Sequence, residues 1–110
     1  MLTEKTLYQV EVTEEDNIQV RARAYIYKDG EVLTHTNHRH VIVPGQDYSK
    51  EPKKVRKACE AVHLPHVVAK YQAKQAFFAA KHAEKPDELV IQEAKKAFRK
   101  AEKEYDLEEA

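Results

Sequence analysis

The chain has 110 residues, 42% hydrophobic and 35% charged, with 19 Lys+Arg against 19 Asp+Glu and a mean hydropathy of −0.77. That length predicts one domain with one core, too small to hold a deep catalytic cleft as well. The balanced charge argues against a surface that wraps nucleic acid all over, and no apolar run is long enough to span a membrane.

Composition changes at Pro44-Gly45. Fourteen of the twenty Val, Ile and Thr residues precede Pro44, and twelve of the fourteen alanines follow Arg56. Branched residues suit a pleated strand and alanine suits a helix, so strands come first and helices follow. This order predicts an α+β fold: a three-stranded antiparallel β-meander, then about three α-helices packed on one face. A core domain is expected over residues 1–85, with strands near 6–13, 18–28 and 31–43 and helices near 52–63 and 65–83. Residues 86–110 read as a C-terminal amphipathic, charged helix.

In chain order, Tyr8, Val10 and Val12 alternate with polar residues, the period of a half-buried strand. The second strand carries Ile18, Val20, Ala22, Ala24 and Ile26 on one face and Gln19, Arg21, Arg23, Tyr25 and Tyr27 on the other. An odd loop such as Glu15-Asp16-Asn17, with Asn17 left-handed, sets Val12 opposite Val20 and Tyr8 opposite Ala24. Asp29-Gly30 predicts a two-residue type I′ turn. Carried along the strands, that turn pairs Tyr27 with Val32, Tyr25 with Thr34, Arg23 with Thr36, Arg21 with His38 and Gln19 with His40.

The three helical segments are each opened by a proline, at Pro52, Pro65 and Pro86. The first carries the stripe Val55, Ala58, Cys59 and Val62; the third carries Val90, Ala94, Ala97, Phe98, Ala101 and Tyr105. On the middle helix, apolar residues cover more than half the circumference, beyond what a one-sided helix needs. Its small residues Ala69, Ala73, Ala76 and Ala80 suit close approach of another helix, as do Val90, Ala97, Phe98 and Ala101 on the third. Either the third helix folds back on the second, or it projects and both stripes serve an oligomer or a partner.

Six histidines raise a metal site. Zinc needs three or four converging ligands with ordered supports. His38 and His40, two apart on a strand, read instead as polar residues of a sheet face, and His63 and His66 lie at a helix junction. Cys59 on an apolar stripe behaves as a small hydrophobe rather than a nucleophile. Gly30 and Gly45 are accounted for by turns, so no glycine-rich phosphate loop is predicted. No catalytic, cofactor-binding or metal-binding residue is assigned. The remaining signal is basic: Arg21, Arg23, Tyr25, Tyr27, His38 and His40 are expected to share the outer sheet face, a candidate surface for a partner or an anion. The ordinary alternative is a solvated antiparallel face.

Several stretches between Gln19 and Ala73 go beyond periodicity. They are Val20-Arg21-Ala22-Arg23, the turn Tyr27–Glu31, the run Asn37–Asp47, and Cys59–His63 followed by Val67–Ala73. Together they resemble a group of small proteins of tailed bacteriophages and prophages, often encoded among virion (tail) genes. The segment from Ala83 to Ala110 departs from that group. The resemblance implies no activity or cofactor. It implies a non-enzymatic phage protein acting by protein–protein contact, structural or in virion assembly, with other phage or virion proteins or its own copies as partners. The expected location is the bacterial host cytoplasm or the virion, since Met1–Lys5 lacks the apolar stretch of a secretion signal and a lone Cys59 fits a reducing compartment. The alternative is a small nucleic-acid-binding or host-directed regulatory module using the basic sheet face.

Overall fold

Alternating branched residues, interrupted by turn residues at Asp16 and Asp29-Gly30, give three long strands. The computed structural model describes all residues from Met1 to Ala110. Its elements run β1 (Leu2–Val12), β2 (Ile18–Lys28), β3 (Glu31–Ile42), α1 (Lys53–Val62), α2 (Pro65–Lys81) and α3 (Glu88–Glu109). The sheet is antiparallel in the order β1-β2-β3, so the fold is α+β as expected. Two compact units form, Met1–Ala61 and Val62–Ala110. The second begins before α2, so the middle helix groups with α3 rather than with the sheet.

The first hairpin keeps the expected face but slides by two residues. Val12 lies opposite Ile18, Val10 opposite Val20 and Tyr8 opposite Ala22. The loop is Glu14-Glu15-Asp16, closed by Thr13 and Asn17. The Thr13 N–H donates to the Asn17 carbonyl at 3.0 Å, and the Thr13 hydroxyl accepts from the Asn17 N–H at 3.1 Å. Asp16, at φ 63°, takes the left-handed position assigned to Asn17. β1 also starts earlier than residue 6, because Leu2 to Lys5 continue the ladder against Lys28 to Tyr25.

The second hairpin has the expected turn, with Asp29 at φ 53° and Gly30 at φ 85°. Its register then departs from expectation. Tyr27 pairs with Val32 but Ile26 pairs with Thr34, leaving Leu33 as the extra residue of a β-bulge. Beyond it Tyr25 meets His35, Arg23 meets Asn37, Arg21 meets Arg39 and Gln19 meets Val41, not Thr34, Thr36, His38 and His40. The cause is side-chain parity. Without the bulge Ile42 would face away from Ile18 and Arg39 would lie opposite Val20 on the apolar face. One inserted residue reverses both.

Ile18, Val20 and Ile42 are buried at one end of the sheet, as are Val55 and Cys59 of α1. The Lys54 ammonium donates to the Tyr8 carbonyl at 2.7 Å, and Glu51 accepts from His40 at 3.0 Å, fixing α1 over this face of its own unit. Pro44-Gly45 makes the exit turn, with Gly45 at φ 90° and Gln46 N–H donating to the Val43 carbonyl at 3.1 Å. Asp47 then accepts from the Ser49 N–H at 2.9 Å, and that bond holds its carboxyl below the usual range.

In the second unit Pro65 is the first residue of α2 and Asp87 caps α3, accepting from Leu89 N–H at 2.9 Å. The two helices pack antiparallel. Phe77 meets Phe98 with centroids 5.9 Å apart, and His66 meets Tyr105 at 5.7 Å and Glu109 at 2.8 Å. The Lys70 ammonium sits 3.9 Å over the Tyr105 ring, a cation–π contact that also covers apolar surface with a charged end.

An added Cβ at Gly30 meets nothing within 4 Å, so substitution there tests backbone conformation alone. Gly30→Val should lower stability by about 1–2 kcal/mol, the cost of a left-handed branched residue. Gly30→Asn should cost markedly less. Urea unfolding of the two variants side by side reads the difference.

Candidate functional site: a basic, aromatic sheet face

Alternation along β2 divides its side chains between two faces. On one, Ile18 and Val20 enter the core. On the other, Arg21, Arg23, Tyr25 and Tyr27 project together. The bulge at Leu33 decides what β3 adds to each. His38 lies opposite Ala22 and His40 opposite Val20, so both histidines belong to the face that carries α1. They do not join the arginines, contrary to the expected grouping. Arg39, Asn37 and His35 take their places. β1 contributes Lys5, Leu7 and Gln9 to the same surface, opposite Tyr25, Arg23 and Arg21.

Arg21 and Arg39 are directly opposed across β2 and β3. Like charges in this position are destabilising. The Arg21 guanidinium donates to Gln9 Oε1, and Arg23 donates to Asn37 Oδ1 at 3.1 Å and to the Tyr25 hydroxyl at 3.2 Å. These partners are neutral. They fix the guanidinium planes and leave the charge uncompensated. Glu11 is the acid of the face, one row beyond Gln9. A shallow depression of about 330 Å³ is lined by Gln9, Glu11, Gln19, Arg21, Arg39 and Val41, together with Val20 and His40 of the same strands. Beside it the Tyr25 ring lies 6.2 Å from Tyr27 and 5.8 Å from His35, centroid to centroid.

Two histidines elsewhere are occupied by local contacts. His40 bonds Glu51, and His66 bonds Glu109. No group of three or more His, Cys, Asp or Glu side chains is arranged to hold a metal. Cys59 is fully buried, and burial pushes its thiol pKa up, with Glu51 and Glu60 adding to the shift.

Of the residues expected to line a helix interface, Ala73, Ala80, Phe98 and Ala101 are buried or half-buried, while Ala69, Ala76, Val90 and Ala97 are exposed. The seam between α2 and α3 is therefore rotated from the alanine stripe toward His66, Lys70 and Phe77. Those long side chains reach the neighbour across a distance that alanine does not fill. Ile91, half-buried with Ala94, belongs to the α3 side and was not among the expected residues.

Comparison with protein-family models, with curated proteins and with solved structures found no match.

Two outcomes follow from this geometry. Arg39→Glu replaces a repulsive cross-strand pair by an attractive one, so it should raise stability by about 0.2–1 kcal/mol in urea unfolding. Cys59 in the folded chain holds its proton past the pH at which the unfolded thiol, near about 8.5, releases it. Its stabilising effect is complete below that pH and is lost as pH rises toward the folded value. As pH rises above about 8.5, the thermal midpoint should therefore fall more steeply in the native chain than in Cys59→Ala.

Proposed function

We propose that this chain is a non-enzymatic bacteriophage protein that works by contact, in the virion or during its assembly, and that the Arg21 face is its contact surface. The observation that carries the contact surface is the Arg21–Arg39 pair: two directly opposed arginines, of which Arg21 is held by the neutral Gln9, on a face that also exposes Lys5. A solvated face serving only stability gains nothing from that pair, whereas an anionic partner turns the repulsion into attraction. The phage setting rests on the resemblance of residues 19–73. In that setting the partners are other phage components meeting the protein in the host cytoplasm or in the particle. An acidic surface of a virion protein is one such partner. A second reading, the nucleic-acid-binding or regulatory module, is favoured by the rings of Tyr25, Tyr27 and His35 among the arginines.

Formaldehyde cross-linking in infected cells, followed by mass spectrometry, tests the proposal. Cross-links to phage components should map to Lys5, and the double variant Arg21→Glu, Arg39→Glu should lose them while keeping its circular dichroism spectrum. Cross-links confined to Lys95 and Lys96 of α3 would place the contact elsewhere.

A further inference from the structure

The Arg21 face carries four permanent cations, Lys5, Arg21, Arg23 and Arg39, against the single acid Glu11. The whole chain, by contrast, has a formal net charge of +0. Strand pairing therefore gives this surface an excess of cations over acids that the balanced whole-chain charge does not show. Charge alone would suit any polyanion. The rings discriminate. Tyr25 stands next to Arg23, which holds its hydroxyl at 3.2 Å, and Tyr27 and His35 flank Tyr25 at 6.2 and 5.8 Å. An acidic peptide meets the cations with carboxylates but need carry no aromatic ring, whereas every nucleotide carries one, and a duplex keeps its bases stacked inside. Unstacked bases have a free face, and sheet-borne aromatic rings among basic residues bind such bases. Along β2 the cationic half and the aromatic half follow one another at two-residue steps of roughly 7 Å, giving phosphates and bases adjacent places.

We infer that this face binds a single-stranded polynucleotide, with phosphates at Arg21, Arg23 and Arg39 and bases on Tyr25, Tyr27 and His35. The inference rests on the Arg21 face being the contact surface, and it chooses between the two partner classes proposed for it. Gln9 and Asn37 orient Arg21 and Arg23 through their side-chain oxygens. The depression lined by Gln9, Glu11, Arg21 and Arg39 lies at this end of the face, with the phosphates on its arginine side.

Fluorescence anisotropy of the full chain with labelled oligomers of about twenty nucleotides, one of thymidine and one of uridine, tests this. Their two affinities separate DNA from RNA as the source of the same chemistry. A duplex of equal length and polyglutamate serve as the other arms. The expected result is binding in the micromolar range at ~50 mM salt, weakening with a log–log salt slope of about −2 to −3, or ~0.7 per phosphate contact. Arg39→Glu should weaken it at least about tenfold, although that variant is expected to be the more stable one. Tyr25→Leu should weaken it about tenfold and Tyr25→Phe, which keeps the ring, no more than about twofold. Duplex binding of equal strength, with no effect of Tyr25→Leu, would overturn the single-stranded class. Polyglutamate binding as tightly as the oligomers would overturn the polynucleotide while leaving the contact face standing. If neither polyanion binds, the inference fails, and the Lys5 cross-links judge the contact face independently.

Discussion

Ile18 and Ile42 must point the same way. They lie directly opposite each other, both fully buried, and the rest of the first unit is arranged around that requirement. A strand alternates its side chains strictly, and a two-residue turn fixes which residues of the next strand share a face. With Asp29-Gly30 as the turn, Ile42 arrives on the wrong side. The bulge at Leu33 is the local irregularity that resolves the conflict, at the loosely packed, exposed end of the sheet. Burial of Ile42 at the other end supplies a driving force of about 1.5–3 kcal/mol for it. The turn and the core thus make separate demands on β3, and one residue reconciles them.

The same shift composes the candidate site. Moving β3 by one residue carries His38 and His40 to the α1 face, where His40 bonds Glu51, and delivers His35, Asn37 and Arg39 to the other. A demand of the core therefore sets the chemistry of the surface. It also leaves the surface with an unfavourable feature, the Arg21–Arg39 pair, that packing does not explain. In the proposed reading, a negatively charged partner turns that repulsion into attraction. The second unit follows a different rule. There the longer side chains His66, Lys70 and Phe77 of α2 meet α3 on the stripe that also carries Ala73 and Ala80, and lysines drawn over Phe77, Phe78 and Tyr105 shield the ring faces.

Much of the fold was legible because its signals are local. Composition separated strands from helices, Asp29-Gly30 announced its turn, and Pro65 marked the first residue of α2. The odd first loop was legible too, but not its position, since Thr13 and Asn17 close it through side-chain and backbone bonds that periodicity does not encode. The bulge was missed although a trace of it is in the sequence. Ile42 and Arg39 fall on the wrong faces when the two-residue turn is carried through β3, and that contradiction calls for one extra residue. Two of the six residues that the sequence places on the basic face, His38 and His40, accordingly lie on the other. On the helices, the alanine spacing suggested close approach, yet spacing identifies a face without saying what lies against it. Phe77 and His66 belong to the neighbouring face, and only the antiparallel pairing with α3 selects it.

The packing of Ile42 and the composition of the Arg21 face both depend on the register of β2 and β3. Nuclear Overhauser effects between backbone protons across these strands report it directly. The bulged register predicts cross-strand contacts between Arg21 and Arg39 and between Ala22 and His38. Contacts between Arg21 and His38 and between Tyr25 and Thr34 would mean that the strands run without the bulge, and would contradict both the packing of Ile42 and the composition of the Arg21 face.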